Sequence, residues 1–293
     1  MSNLDFTLPG KKVTVGHLHP LTLMMRRIVD FFSMLGFEVV EGPEVETEEY
    51  NFDKLNMPDD HPARDMLDTY WLHGSQQISN LKSQISNKSK TLNSKSEALN
   101  KSQITNHKQS PNSKSQISNL LLRTHTSPVQ LRAMEERQPQ VRLIVPGRVF
   151  RREATDASHE TTFYQCEGLA IDKGIRVTDL IGVLEMLLQS IFGSIKIRVR
   201  PSFFPFVEPG LEIDMNCILC QGKGCSVCGQ DGWMEMLGAG MVHPQVLKNM
   251  KIDPKVYTGF AFGMGIDRLM MLYYGVNDIR LSYSGDLRFV KQF

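Results

Sequence analysis

Long apolar runs are missing from this chain. No stretch of its 293 residues reaches the roughly 18 needed to cross a bilayer. The first twelve residues also lack the charged-then-apolar order of a secretory signal. The reading is therefore a cytoplasmic protein with no membrane partner. Net charge is equally scarce, at a formal +1, and even that is uneven. Residues 73–119 hold seven lysines against the single acid Glu97, so the remainder is net negative. Overall charge cannot hold a nucleic acid here, and any RNA partner needs a local patch or another subunit. Cysteine is rare, with five in all, and four of them fall between Cys217 and Cys228. In a chain without a secretion signal, that clustering favours a metal over a disulfide framework. Cys166 stands alone in an apolar run and reads as core.

What the chain does have is enough apolar side chain, 41% of residues, to bury a sizeable core. Residues 1–72 and 120–293 carry globular patterning. Residues 73–119 are almost entirely Ser, Asn, Lys, Gln and Ile, and Lys82-Ser83-Gln84-Ile85-Ser86-Asn87 recurs unchanged at 114–119. The spacing of the copies is too irregular for a solenoid, and too few bulky apolar residues are present to offset ordering entropy. This segment reads as a low-complexity, disordered insertion; a basic tether for RNA is the other reading.

Outside the insertion, Pro20 opens an amphipathic helix with Leu21, Met24, Met25, Ile28, Phe32 and Leu35 on one face, and Gly36 closes it. A strand over 37–40 follows. Residues 141–145, 147–153 and 163–172 read as strands broken at Pro146-Gly147 and by a polar loop at 154–162. Thr178 is the expected cap of a helix carrying Leu180, Leu184, Leu187, Leu188 and Ile191, which Gly193 ends before a strand over 195–200. A strand over 256–262 and a helix over 266–274 complete the pattern. Strands with few intervening helices predict an α+β antiparallel sheet rather than a doubly wound one.

Period-two alternation puts Arg151 with Glu153, and Gln165 with Glu167, on single strand faces. If those strands pair, an arginine fork suited to phosphate lies beside carboxylates suited to an amino group. A solvated face with incidental ion pairs is the plain alternative. A second candidate is the glycine-rich stretch from Gly259 to Gly265, which reads as a turn entering a helix and so as an approach to a nucleotide. It is not a dinucleotide fingerprint, because Arg268 stands where the third glycine would fall.

Five strings carry a resemblance: Gly16-His17-Leu18-His19-Pro20-Leu21, Arg123-Thr124-His125-Thr126-Ser127-Pro128, Gly147-Arg148-Val149-Phe150-Arg151-Arg152-Glu153, Phe204-Pro205-Phe206-Val207-Glu208-Pro209-Gly210, and Gly259 through Arg268. In order and spacing, from about residue 8 to 293, the chain resembles the alpha subunit of phenylalanyl-tRNA synthetases, with only the insertion foreign. The resemblance implies a class II catalytic domain on an antiparallel β-sheet flanked by helices. It also implies a beta-subunit partner in an (αβ)2 assembly, tRNA(Phe) as the acceptor, and ATP with Mg2+.

Residue by residue, the resemblance makes Arg151 the arginine on the ATP α-phosphate and Arg268 the one on adenine near the γ-phosphate, both catalytic. Phe163 becomes the opposite face of the adenine sandwich, with Glu153 and His159 also touching ATP. His125, Ser127, Gln130, Gln165 and Glu167 resemble the polar ring around the amino acid. Phe204 and Phe206 pack against its side chain, and Val207, Ala261 and Trp71 line the pocket. Glu208 is implied as a magnesium ligand at the beta-subunit contact. Members of the family also carry a long helical arm ahead of the catalytic region, whereas here the matching region starts a few residues after Met1. An adenylate-forming relative with a different acceptor and a non-catalytic binding subunit are the other functions the sequence leaves open.

Cys217-x-x-Cys220 and Cys225-x-x-Cys228, with Gly222, Gly224 and Gly229 among them, form a compact double knuckle. Thiolates two residues apart chelate one tetrahedral zinc, and the glycines permit the tight turns. A small structural zinc loop held by the four cysteines is the expectation; four free thiols are the alternative.

Overall fold

The computed structural model describes residues 16–64, 68–72 and 119–293. The expected insertion at 73–119 therefore lies almost wholly outside the described residues. Helix α1 (Pro20–Met34) starts where Pro20 sets the first turn. His19 accepts the Leu21 N–H at 3.2 Å, and Gly36 leaves the helix at φ 78°. Strands β1 (Glu38–Val39) and β2 (Val45–Thr47), helix α2 (Glu48–Asn51), strand β3 (Leu120–Leu122) and helix α3 (Ser127–Glu135) lead to the long strands β4 (Val141–Phe150) and β5 (Thr162–Asp172). Helix α4 (Val177–Phe192) follows, then β6 (Ile197–Phe204), β7 (Val207–Asn216) and β8 (Trp233–Val242). Helix α5 (Pro244–Asn249), strand β9 (Thr258–Gly265) and helices α6 (Ile266–Tyr274), α7 (Arg280–Tyr283) and α8 (Leu287–Val290) complete the chain.

Seven strands form one sheet in the order β1-β4-β5-β9-β8-β7-β6. Every pairing in it is antiparallel except β1 with β4, which is parallel. Side-chain alternation divides the core in two. Ile144, Cys166, Ala170, Phe260 and Phe262 face one side and bury α1, α4 and α6. Leu143, Leu169 and Ile171 face the other, beneath Phe52, Leu55 and Leu131. Three helices thus seal one face. The second face, roofed by loops and short helices, is where a cavity remains.

Several expected boundaries move. Pro146-Gly147 does not divide a strand: β4 runs through it, pairing Pro146 with Cys166 and Gly147 with Gln165. The Val40 N–H bonds the Ile144 carbonyl at 2.9 Å, so even-numbered β4 positions face the β1 edge, and β1 has ended before Pro146. A residue without an N–H costs no ladder bond there. Beyond Phe150, Arg151 keeps one bond, its N–H to Thr161 O at 2.9 Å, so Arg151 and Glu153 follow the strand rather than sit within it. Arg176, not Thr178, caps α4, because the Asp179 carboxylate reaches back to the Arg176 N–H at 2.8 Å. Strand β6 begins at Ile197 and continues through Pro201, tolerated on an edge strand. The glycine-rich stretch is strand β9 rather than a turn. Its glycines keep the sheet surface open where neighbours press close: a Cβ at Gly263 would stand 3.2 Å from Glu167.

Candidate functional site

The open face of the sheet holds a cavity of about 580 Å³. Its polar end is built from the β3–α3 junction and β5. The N-terminus of α3 presents the Thr126 N–H to Glu167 Oε1 at 3.1 Å, and the Ser127 hydroxyl bonds the other Glu167 oxygen. Glu167 is 7% exposed. Burial raises its pKa, against the pull of those two donors and of the Arg151 and Arg123 charges. Arg123 lies over Gly147, where a Cβ would come within 2.3 Å of its guanidinium, and it is spent on the carbonyls of Gly42, Pro43 and Arg148. It braces the backbone, leaving Arg151 as the cation that faces the cavity.

Arg151 bonds Thr124 O through Nε at 3.1 Å, and its guanidinium sits 5.0 Å from the centre of the Phe163 ring. Among the described residues, no carboxylate lies within ion-pair distance of it. Burial lowers its pKa, partly offset by the charges of Glu153 and Glu167. Beside it, the ring nitrogens of His125 are enclosed and its imidazolium pKa falls to about 3, through burial first and then the Arg151 charge, with the Asn51 backbone acting the other way. The ring is neutral at any physiological pH. Both His125 ring nitrogens, Gln130 Nε2 and Gln165 Oε1 are buried and lack hydrogen-bond partners among the described residues. Buried polar atoms without partners are rare in a folded protein, so a group of them on one cavity wall marks a place for a ligand that both donates and accepts.

The other end is apolar. The rings of Phe204 and Phe206 stack at 5.9 Å and 21° across the β6–β7 turn. Phe204 lies over Gly238, where a Cβ would be 3.0 Å from the ring. Val207 and Ala261 line the same wall, Ala261 standing between Leu169 on β5 and Gly240 on β8. Eleven of the residues singled out in the sequence therefore share one cavity: His125, Ser127, Gln130, Arg151, Glu153, Gln165, Glu167, Phe204, Phe206, Val207 and Ala261.

Five others lie outside its lining. Trp71 bridges Leu121 and packs 6.2 Å from Phe52, as a wall behind the cavity. Phe163 lies under Arg151. His159 is on an exposed loop, its Nδ1 3.0 Å from both Asp156 oxygens. Arg268 is exposed on α6, and its side chain makes no hydrogen bond or ion pair among the described residues. Glu208, also exposed, forms its ion pair with His243, at 3.3 Å. Among the described residues, no group of three metal-ligating side chains forms around Glu208, and no step below is routed through it.

Sequence reasoning missed Leu55, Met57 and His61, which line the cavity from the irregular segment after α2, and Glu212 and Glu235 at its mouth. The first group has no periodicity to betray it.

Away from the cavity, the four sulfurs of Cys217, Cys220, Cys225 and Cys228 lie within 4.8 Å of one another. Cys217 to Cys225 and Cys220 to Cys228 are 3.8 Å apart, and Cys225 to Cys228 is 3.6 Å. Sulfurs about 2.3 Å from a common tetrahedral centre would be separated by about 3.8 Å. Backbone N–H groups of Gly224, Cys225 and Gly232 point at the sulfurs at 3.1–3.3 Å. At Cys228 burial raises the thiol pKa, but the Cys225 and Gly232 groups outweigh it and hold the pKa at about 7. Burial pushes Cys217 up to about 11.

Residues 3–293 match the family model of the tRNA synthetases class II core domain (F). The phenylalanine--tRNA ligase alpha subunit of Clostridium botulinum (strain Langeland / NCTC 10281 / Type F) is 44% identical over 291 residues, covering 99% of this chain and 73% of that relative. The subunits of the same name from Caldanaerobacter subterraneus subsp. tengcongensis and Ectopseudomonas mendocina are each 46% identical over the same span, with the same coverage. Among solved structures, the pyrrolysyl-tRNA synthetase of Desulfitobacterium hafniense superposes with a TM-score of 0.56 at 15% identity, over 92% of this chain and 75% of that one. That likeness bears on the fold alone. With the class II core matched nearly end to end and identity of 44–46% to those subunits, the chain belongs to the phenylalanine--tRNA ligase alpha subunits, a family of class II aminoacyl-tRNA synthetases.

Proposed function

We propose that the cavity binds phenylalanine with ATP, joins them as phenylalanyl-adenylate and passes the aminoacyl group to tRNA(Phe), with a beta subunit in an (αβ)2 assembly. One observation carries this reading: a stacked aromatic end and a polar end with unpartnered buried atoms meet beside the half-buried Arg151 in a single cavity. The aromatic end fits the side chain. The ammonium group suits the Glu167 carboxylate and Gln165 Oε1, while Gln130 Nε2 and the neutral His125 ring offer donors to the carboxylate.

The chemistry asks little of the protein beyond placement. The amino acid's carboxylate is ionised at neutral pH and is itself the nucleophile, so no activated serine or cysteine is required. One of its oxygens bonds the α-phosphorus as the bond to the bridging oxygen breaks, and pyrophosphate leaves. A terminal ribose hydroxyl of the tRNA then attacks the mixed anhydride's carbonyl and AMP departs. Arg151 holds the α-phosphate in line, as a fixed cation beside developing charge. Phe163 beneath it and the exposed Arg268 sandwich the adenine, with Glu153 and His159 at the nucleotide's edge. Magnesium, when bound with ATP, supplies further neutralisation of phosphate charge.

We assign the catalytic domain to 1–72 and 120–293 and treat 73–119 as an insertion outside it; the low-complexity composition supports that division. The cytoplasm is the proposed location. No helix among the described residues is long and apolar enough to cross a membrane. Zinc in the four-cysteine loop is proposed as structural, since the sulfur spacing suits a tetrahedral ion and the cluster lies apart from the cavity. Metal analysis of the purified protein is expected to find about one zinc per chain, with the thiols unreactive until a chelator or denaturant is added. Absence of zinc, with all four thiols titratable in the native protein, would sink the assignment.

Because the reading makes this chain one of two subunits, the chain alone is expected to be weakly active or inactive in pyrophosphate exchange and in tRNA charging. Adding the beta subunit should restore both. Full charging by the chain alone would overturn the dependence on a partner.

A further inference from the structure

The aromatic wall of the cavity is a turn, and its position is set from outside the sheet. Phe204 and Phe206 flank Pro205, at the point where β6 reverses into β7 and the ladder slips its register between Ser202 and Phe204. A proline at the apex offers a carbonyl but no N–H. Within the hairpin, then, little fixes the two rings relative to the opposite wall. That wall is the segment carrying Leu55 and Met57, which line the cavity. Between them stands Asn56, in the left-handed region at φ 61° and ψ 24°, a conformation asparagine adopts more readily than most residues.

The unusual backbone aims the Asn56 side chain across the gap. Its Nδ2 donates to Pro205 O at 2.8 Å, a bond between residues 149 positions apart. The turn has a second tie, the His243 N–H to Phe206 O at 3.0 Å. The Asn56 segment is itself anchored, as Asn249 Nδ2 donates to Lys54 O at 2.8 Å. Both His243 and Asn249 belong to α5 and its cap. The two walls of the aromatic end are therefore joined to each other by Asn56 and to a common helix by one bond apiece.

From this geometry we infer that Asn56 is a positioning residue for amino-acid specificity: it sets the width of the aromatic end by clamping the Phe204-Pro205-Phe206 turn against the Leu55–Met57 wall. The inference rests on the functional reading above, in which that end receives the phenylalanine side chain. Asn56 does not itself line the cavity, and its effect is exerted through the rings.

The test uses the αβ enzyme and two variants. Asn56→Gly keeps the left-handed backbone and removes the clamp. Asn56→Asp keeps backbone and shape but sets a carboxylate oxygen against the Pro205 carbonyl. Pyrophosphate exchange is measured with phenylalanine and with para-chlorophenylalanine, together with the KM for ATP and the melting temperature. Both variants are expected to raise the KM for phenylalanine about 3- to 10-fold, the scale of one lost hydrogen bond, and to narrow the preference for phenylalanine over the larger analogue by a similar factor. The KM for ATP should stay within about twofold, since the nucleotide end is not touched. A residue that merely supports the fold would lower the melting temperature and the rate with both amino acids equally. An unchanged preference between the two substrates in both variants overturns the proposal. Direct titration with phenylalanine separates the two levels: if the parent enzyme binds none, the functional reading fails and this inference falls with it, whereas parental binding with an unaltered preference in the variants refutes the clamp alone.

Discussion

Replacing Arg151 with alanine is expected to lower phenylalanine-dependent pyrophosphate exchange by on the order of 10²-fold or more, the scale of a lost charge-stabilising group in an active site. Arg151 is the cation that faces the cavity, and among the described residues no carboxylate is within ion-pair reach of it, so its charge is available to a phosphate. Arg123, which is buried, is committed to three backbone carbonyls and cannot substitute. Removing Arg151 also takes a compensating charge from beside the buried Glu167, so some loss of stability should accompany the loss of rate. Arg151→Lys separates the effects, because it keeps the charge but loses the planar fork. Recovery of thermal stability without recovery of rate would locate the role in phosphate geometry. Arg268→Ala serves as a control from the opposite side. Exposed, and without a hydrogen bond or ion pair among the described residues, Arg268 is nonetheless expected to show the same order of rate loss. His159→Ala should be milder, as the ring is held by Asp156 on an exposed loop. Small and equal losses for all three would point to a binding subunit rather than a catalyst.

Ala261→Gly is expected to admit para-chlorophenylalanine far better than the parent does. Ala261 projects from β9 into the apolar end of the cavity, between Leu169 and Gly240, on the wall shared with Phe206 and Val207. With the two aromatic rings gripping the substrate ring, discrimination against a larger analogue comes from the space left beyond its far edge, and the Ala261 methyl fills part of that space. A hydrophobic pocket penalises one extra group by about 1–3 kcal/mol, which corresponds to roughly 10- to 200-fold in kcat/KM. Deleting the methyl should recover much of that factor for the analogue. Phenylalanine activation should stay within about tenfold, a cost of about 1.4 kcal/mol or less. A glycine inside a strand also costs about 0.5–1 kcal/mol in stability, a small drop in melting temperature that leaves the ratio of the two substrates untouched. If that ratio matches the parent's, Ala261 does not border the substrate and the orientation assigned to the amino acid is wrong.

Features with strong local physics could be read from the sequence. Helix α1 follows from Pro20, the Leu21–Met24–Ile28–Phe32 stripe and Gly36; α6 follows from the Ile266, Leu269 and Met270 face. The polar residues of the site were recoverable for the same reason: alternation put Gln165 and Glu167 on one face, and pairing with β4 brought Arg151 to the same end. Strands β7 and β8 were not legible. Pro209-Gly210 interrupts the first, and the second carries Gly238, under the Phe204 ring at the cavity, and Gly240, where a Cβ would meet the Pro209 carbonyl and Val207. The glycines of β9 misled in the same way, resembling a phosphate loop while serving to clear room on a sheet. The Leu55–Met57 wall was hidden for a different reason. It belongs to a short irregular segment whose partner is a turn 149 residues away, and no local pattern encodes such a contact. Family resemblance reached Arg268 and His159, which the geometry leaves outside the cavity lining.

The most direct measurement is which amino acid drives exchange of labelled pyrophosphate into ATP. The chain, purified with its beta subunit, should be assayed with each standard amino acid in turn. Exchange that depends on phenylalanine, with tyrosine and leucine far behind and with loss of the signal in Arg151→Ala, is the predicted result. Exchange that is independent of phenylalanine, or that another amino acid drives better, would contradict the reading of this cavity.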